Sequence, residues 1–409
     1  MNHAKKKFLG LTLGATSLVL TGLLVAPTHA QTPIRIGASL SKTGKFTELG
    51  TAIGRGYHLC TKLANDKGGV LGRRLELTVE DDQSTPEVAA GIYDRLITRE
   101  KVDAILSPYS SPLTEAVASV AEKHKLPLVA AGALSPAIWK KGRKFVFMLL
   151  TPTSGYVKGV IDIAARNGLK TIAVIHEDTP FPKAVARSAE GGLQGLELVA
   201  KEAYPSGTKD FLDPLGRLKA KNPDVLIAAT YFQDSVAITE QLKKMDINPR
   251  MFSVTVGGGL PKFYKLLGPS SDFVYVATQW EPEFITLRAG GLIPIARYYP
   301  GAQEFVDAFR AEFPGLDLAY QVAQGYGACQ VLLEGMRRAG STDGQQVRDV
   351  IAELEINTTF GPFKVDASGV QLAHKMVVFQ WQSGKKVIVW PEELAAERAR
   401  FPTPPWNKR

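Results

Sequence analysis

The sequence is poor in the residues that mark metal and nucleophile chemistry. It holds two cysteines and six histidines in 409 residues. The histidines are dispersed, and no Cys/His group has the spacing that a zinc or related metal site needs. There is no G-x-S-x-G elbow, and no His or Asp stands where a triad would be recognised. No basic block is interleaved with aromatics, so the net charge of +9 does not point to nucleic acid. After residue 30, no segment approaches the roughly eighteen apolar residues of a membrane-spanning helix. Cys60 and Cys329 both lie in helical patterns among apolar residues. A bridge between them and two buried free thiols fit equally well.

What is present begins with the first thirty residues. Lys5, Lys6 and Lys7 precede an uncharged run over 8–27, and Thr28-His29-Ala30 closes it before Gln31. A basic start, a short apolar core and a small final residue describe a cleavable secretory signal at 1–30. A membrane anchor is the alternative, but the run contains Gly, Thr and Ser, and no basic stop-transfer cluster follows it. Cleavage would remove three lysines and leave the exported chain near +6. Periplasmic export is the expectation.

From Ile34 onward, short apolar runs alternate with amphipathic stretches. Strands are expected at 33–40, 73–80, 102–107, 126–131, 170–176, 196–204, 223–230, 250–256 and 273–278. Between them, residues such as Val88, Ile92, Leu96 and Ile97 recur at helical spacing. Strands separated by ten to fifteen helical residues imply right-handed βαβ units in parallel sheets. Nine strands are too many for one such open sheet, so the expected fold is α/β with two doubly wound lobes. An internal echo agrees: 102–132 and 223–259 share an Asp before a buried strand, a polar-aromatic loop, a helix, a proline, a strand and a small-residue loop. Beyond 281 an irregular stretch to 300 is expected, then helices over 301–313, 320–339 and 345–354. Two β-like runs at 376–381 and 386–390 flank Ser383-Gly384. A Pro-rich tail is expected to lie extended on the surface.

Ligands of open parallel sheets bind outside the carboxyl ends of the strands. That rule gathers the loops 41–49, 107–111 and 131–135 from the first half, and 176–181, 230–233 and 255–259 from the second. In VDAILSPYSSPLTEAVASV (102–120), Ser111 is placed to cap a helix with Pro112 in its first turn. Exposed N–H groups there, beside serine hydroxyls, suit a carboxylate or phosphate. His124 is expected to face solvent; His176 could act as a base but has no paired nucleophile. An exported hydrolase using Ser110 or His176 is therefore the weaker class, and no enzymatic activity is expected. Gly257-Gly258-Gly259 lacks a phosphate-loop ending and reads as a tight turn.

With those loops in view, the chain resembles the periplasmic substrate-binding proteins of branched-chain amino acid and amide ABC transporters, over nearly all of the exported sequence. IRIGASLSKTGKFTELGTAIGRGYHL (34–59) is similar to that family's first strand, ligand loop and helix. ANDKGGVLGRRLELTVEDDQSTPEVA (64–89) carries its N-x-x-G-G-x-x-G turn and D-D-x-x-x-P segment. YQVAQGYGACQVLLEGM (320–336) resembles its late Y-D-A helix, with the Asp missing. The resemblance implies two Rossmann-like lobes of the type I periplasmic binding fold, joined by three crossings near 149–152, 277–280 and 360–364. One lobe would comprise 31–150 with 281–360, the other 151–280 with 361–409. It also implies a monomer without cofactor or metal that closes on a small molecule and docks onto permease subunits.

Carried over position by position, the carboxylate site corresponds to Ser110, Ser111 and the backbone around Gly132. Leu134 stands where a hydroxyl is common, next to Ser135. Phe181, Tyr231 or Phe232, and Tyr320 match aromatic contacts. Val256, before Gly257, stands where an acid would pair with an α-ammonium. Phe46, Leu49, Tyr109 and Trp280 complete the expected contact set. Without an acid at 256, burying an ammonium would cost several kcal/mol. The expected ligand is a carboxylate on an apolar or aromatic body, with an amino acid or amide, or a sensing role, as the alternatives. A slip of one residue at 256 would move that assignment, and Glu177 or Asp178 would then be the substitute charge.

Overall fold

The computed structural model describes residues 31–282 and 299–409, together with Met1 and Lys7. The expected signal run at 8–30 lies outside the described residues, as does most of the stretch expected to be irregular, 283–298.

All nine expected strands form: three in one parallel sheet, one in a two-stranded pair beside it, and five in a larger second sheet. The first half runs β1 (Ile34–Leu40), α1 (Thr47–Asp66), β2 (Leu75–Asp81), α2 (Pro86–Thr98), β3 (Ala104–Ile105), α3 (Ser111–His124), β4 (Leu128–Ala130) and β5 (Val146–Met148). Strands β2, β1 and β3 pair in parallel in that order. β4 pairs with β5, also in parallel. A lone parallel bridge between Tyr109 and Gly132 links the ends of the two groups. The second half runs α4 (Gly155–Arg166), β6 (Thr171–Glu177), α5 (Pro180–Gly191), β7 (Glu197–Tyr204), α6 (Leu212–Lys221), β8 (Val225–Ala229), α7 (Phe232–Lys244), β9 (Met251–Val254), α8 (Pro261–Leu267) and β10 (Tyr275–Thr278). After it come α9 (Ala302–Glu312), α10 (Tyr320–Ala339), α11 (Gly344–Glu353), β11 (Ile356–Thr358), β12 (Gly361–Phe363), β13 (Val377–Gln382) and β14 (Lys385–Trp390). The second sheet has the order β14-β13-β10-β9-β8-β6-β7, and only β13 runs against the other strands, antiparallel to both β10 and β14.

Local chemistry accounts for these elements. VLIAA in β8 is buried at every position, as a strand covered by helices on both faces must be. Asp343 caps α11 by accepting from the Gln346 N–H at 3.0 Å. Ser383 and Gly384, both at positive φ, form the two-residue turn that a tight hairpin requires. β5, β11 and β12 were missed because three-residue strands carry no readable period. The Pro-rich tail departs from expectation: Trp406 is buried, and its indole N–H donates to the Ile247 carbonyl at 2.7 Å.

Three segments that pass between the sheets are stitched side by side. Gln279 accepts from the Thr151 N–H at 3.0 Å and donates to the Thr151 carbonyl at 3.3 Å. Gln371 donates to the carbonyls of Leu149 at 2.9 Å and Pro362 at 3.3 Å. His374 lies between Thr151 Oγ1, 2.8 Å from Nδ1, and the Phe360 carbonyl, 3.2 Å from Nε2. Nε2 therefore donates to the carbonyl, and in the neutral ring that burial favours Nδ1 accepts from the Thr151 hydroxyl. Burial pushes its pKa down to about 4.

The helices α1 and α10 pack so closely that a Cβ on Gly56 would sit 2.1 Å from the Val322 carbonyl. Cys60 and Cys329 join them in a disulfide, which settles the choice the sequence left open. Both helices begin at the cleft, so the bridge fixes two of its walls.

Two outcomes follow from these contacts. Replacing both cysteines by alanine, which opens a loop of 269 residues, should lower the unfolding free energy by about 2–4 kcal/mol in urea titrations; equal midpoints would contradict this. His374 binds its proton less well folded than unfolded, so its contribution is complete above pH ~6.5 and is lost as pH falls toward 4. The loss should reach about 3 kcal/mol, and His374→Gln should flatten that part of the stability–pH curve.

Candidate functional site

The loops at the carboxyl ends of both sheets face one another, and the first is held by two adjacent acids. Asp82 accepts from the hydroxyls of Ser41 at 2.6 Å and Ser39 at 2.9 Å. Burial raises its pKa despite those bonds. Burial also works against Asp81, but N–H groups of Gln83, Lys42 and Thr43, with the Thr43 hydroxyl, outweigh it and hold its pKa low. Ser84 accepts from the Phe46 N–H at 3.0 Å and donates to the Thr43 carbonyl at 2.8 Å. The paired acids thus set where Lys45 and Phe46 project.

The serine loop separates into two roles. Ser107 Oγ accepts from the Ala131 N–H at 2.8 Å. Ser111 Oγ accepts from the N–H groups of Leu134 and Ser135, both at 3.1 Å. Ser111 is the first residue of α3 rather than its cap, because its hydroxyl faces the neighbouring loop. Ser110 takes the cap position without a capping bond, at φ 92°. That region disfavours residues with a Cβ, and such strain is typically held in place by its surroundings at functional sites. Its hydroxyl is buried and makes no hydrogen bond. His176 makes no hydrogen bond to it, and Nδ1 of that ring lies 3.0 Å from the Glu177 carbonyl.

Between the loops lies a tight cavity of about 10 Å³, room for roughly one water. Seven expected residues line it: Tyr109, Gly132, Leu134, Phe181, Tyr231, Val256 and Tyr320. A Cβ on Gly132 would lie 2.5 Å from the Tyr109 ring, so only glycine lets that ring reach the wall. Leu150, Tyr156 and Gln324 also line the cavity and were not anticipated. Gln324 stands four residues after Tyr320 on α10, and that helical spacing was the available signal. Nothing marked Leu150 or Tyr156.

The remaining expected residues, Ser110 and Ser111 among them, are not part of the lining. Phe46 contacts Tyr231 at 5.0 Å and Tyr109 at 5.7 Å between ring centroids. Leu49 is in the core. Ser135 contributes its N–H to Ser111. Phe232 and Gly257 are buried against each other where α7 meets the 256–259 turn. Trp280 is fully buried against Phe305, away from the lining.

No lining residue carries a carboxylate, ammonium or guanidinium. Burial drives the Tyr156 hydroxyl up to about 12 against contacts with Gln279 and Tyr320. It raises Tyr109, Tyr231 and Tyr320 well above the usual range. The four phenols are therefore neutral polar groups. Asp178 is half exposed and paired with Lys183, outside the cavity. Glu177 is fully buried and paired with Lys45.

The sequence profile of the family described as periplasmic binding protein matches residues 33–386. Leu/Ile/Val-binding protein homolog 7 of Brucella melitensis is 27% identical over 404 residues, covering 94% of this chain and 98% of its own. A branched-chain amino acid transporter substrate binding protein, LivJ of Streptococcus pneumoniae, solved with isoleucine, superposes with a TM-score of 0.77 at 22% identity, covering 88% of this chain and all of that one. A solute binding protein of an R. palustris ABC transporter, solved with benzoate, superposes with a TM-score of 0.74 at 19% identity, over 90% of this chain and 98% of that one. At these identities the two structures establish the shared fold, with two lobes and a mostly parallel sheet.

The split between the serines is measurable by denaturation. Ser111→Ala leaves two buried N–H groups without an acceptor and should cost about 2–4 kcal/mol of stability. Ser110→Ala removes a buried hydroxyl that bonds nothing and should leave stability unchanged or slightly higher. Equal losses in both variants would contradict the assignment.

Proposed function

The chain belongs to the periplasmic binding protein family of ABC transporter substrate-binding proteins, and from that premise we propose that it captures a small carboxylate with an apolar or aromatic body. Export through the amino-terminal signal, closure of the two lobes over the ligand and delivery to permease subunits complete this reading.

The observation that carries it is the uncharged lining beside the buried, unbonded Ser110 hydroxyl. At the start of α3 the N–H groups of the first turn have no partner within the helix. They carry the positive end of its dipole, which suits an anion. Hydrogen bonds from such donors to a carboxylate are worth about 1.5–3 kcal/mol each. The lining also offers Leu134, Leu150, Phe181 and Val256 to an apolar body. The phenols offer neutral hydrogen bonds.

A branched-chain amino acid is the second reading, favoured by the names of the Leu/Ile/Val-binding relatives. It needs a counter-charge for the ammonium. Among the described residues one candidate is Glu177, whose Oε2 is buried and without a hydrogen bond and whose charge acts on Tyr231. An unpaired buried cation would cost several kcal/mol, while micromolar binding totals only about −8.2 kcal/mol.

A thermal-shift screen of the exported chain against benzoate, phenylacetate, aliphatic carboxylates and free amino acids tests the proposal. Ligand at 100 times its dissociation constant stabilises by about 2.7 kcal/mol. Carboxylates without an ammonium should stabilise the wild type, and Ser110→Ala should lose most of that gain. Stabilisation by zwitterionic amino acids alone would sink the proposal.

A further inference from the structure

Apart from the ligand cavity, the structure buries a second polar cluster between the two sheets. Lys45 projects from the loop after β1 of the first sheet. Its ammonium pairs with Glu177, the last residue of β6 in the second sheet. It also lies 3.6 Å from Asp234 Oδ2 on α7 and 3.3 Å from Ser206 Oγ, and it sits over the Tyr231 ring at 5.2 Å. The Tyr204 hydroxyl donates to Asp234 at 3.1 Å.

Burial makes the arrangement one-sided. The Glu177 side chain is 0% exposed and that of Asp234 7%, and Lys45 is the ion-pair partner of each. The second sheet therefore carries two buried carboxylates, and their cation comes from the first. Asp234 has a raised pKa because of burial and the Glu177 charge, with Lys45 opposing both. Two other pairs link the same halves at the rim, Lys262–Glu48 and Lys265–Asp317, but all four side chains are half exposed. Exposed pairs of that kind contribute little.

We propose that Lys45 is the latch of the closed receptor: its ammonium, supplied by one lobe, neutralises the Glu177–Asp234 pair of the other only when the lobes meet. Asp81, Asp82 and Ser84 hold the loop that delivers it. When the lobes part, water solvates all three charges. Closing without Lys45 would bury two carboxylates side by side with no cation, so the residue acts on the closed state and leaves the open one alone. Because Tyr231 lies both under the ammonium and in the cavity wall, ligand and latch share one surface. Lys45 is a positioning residue that touches no ligand. This inference rests on the receptor reading above.

The test compares wild type, Lys45→Met and Lys45→Arg by small-angle scattering without ligand and by release rates in separate titrations with benzoate and isoleucine. Lys45→Met should give a larger radius of gyration and at least about tenfold faster release of whichever probe binds, with an unfolding midpoint close to wild type. Lys45→Arg keeps the charge and should stay close to wild type in compactness and release. Lys45→Met matching wild type in both compactness and release would overturn the latch. If neither probe binds the wild type, the ligand assignment fails, and the ligand-free scattering comparison alone decides the latch.

Discussion

A charge can enter a closed cavity only where fixed hydrogen bonds replace its water, and that constraint governs how this cleft is built. The wall consists of four neutral phenols, an amide and apolar groups. Charges near it are cancelled before they reach it: Glu177 by Lys45, and Glu281 by Lys386, which also donates to the Gly259 carbonyl at 2.7 Å. What remains for an anion is the start of α3 with the Ser110 hydroxyl. The strain at Ser110 is consistent with a residue whose conformation serves a bound group rather than its own backbone.

The surrounding structure holds that corner rigid. Ser107 and Ser111 use their hydroxyls to tie the loop after β4 to the loop after β3. Asp81 and Asp82 do the same for the loop after β1. The disulfide between α1 and α10 fixes the two helices whose amino-terminal ends carry Phe46 and Tyr320 to the cleft. Across from them, the 256–259 turn is pinned from behind by the Trp381 indole N–H on the Gly258 carbonyl at 3.0 Å. The neutral His374 and the two glutamines tie the crossing segments to one another.

Much of this was legible in the sequence, for identifiable reasons. Buried parallel strands such as VLIAA are continuous apolar runs, and the rule that ligands sit at strand ends collected the right loops. Val256, expected at the site, lines the cavity. The misreadings came from contacts that only folding creates. Ser111 resembled a helix cap because Pro112 follows it, yet two N–H groups more than twenty residues away claimed its hydroxyl. Phe46, Phe232 and Trp280 looked like ligand contacts, since an aromatic at a strand end gives no sign whether it lines a cavity or supports the residue that does. Leu150 follows β5, a strand the sequence did not show, and Tyr156 lies in α4, so neither was collected by the rule. Lys45 stood in the first loop unremarked, because its partners lie 132 and 189 residues further along the chain.

On the proposed reading the cleft accepts a carboxylate and has no place for an ammonium. The most direct measurement is a pair of calorimetric titrations that hold the apolar body constant, isoleucine against its deaminated analogue 3-methylpentanoate. The account predicts that the analogue binds the more tightly, by about tenfold or more. Tighter binding of isoleucine would contradict it, and would make the buried Glu177 carboxylate the counter-charge that the wall itself lacks.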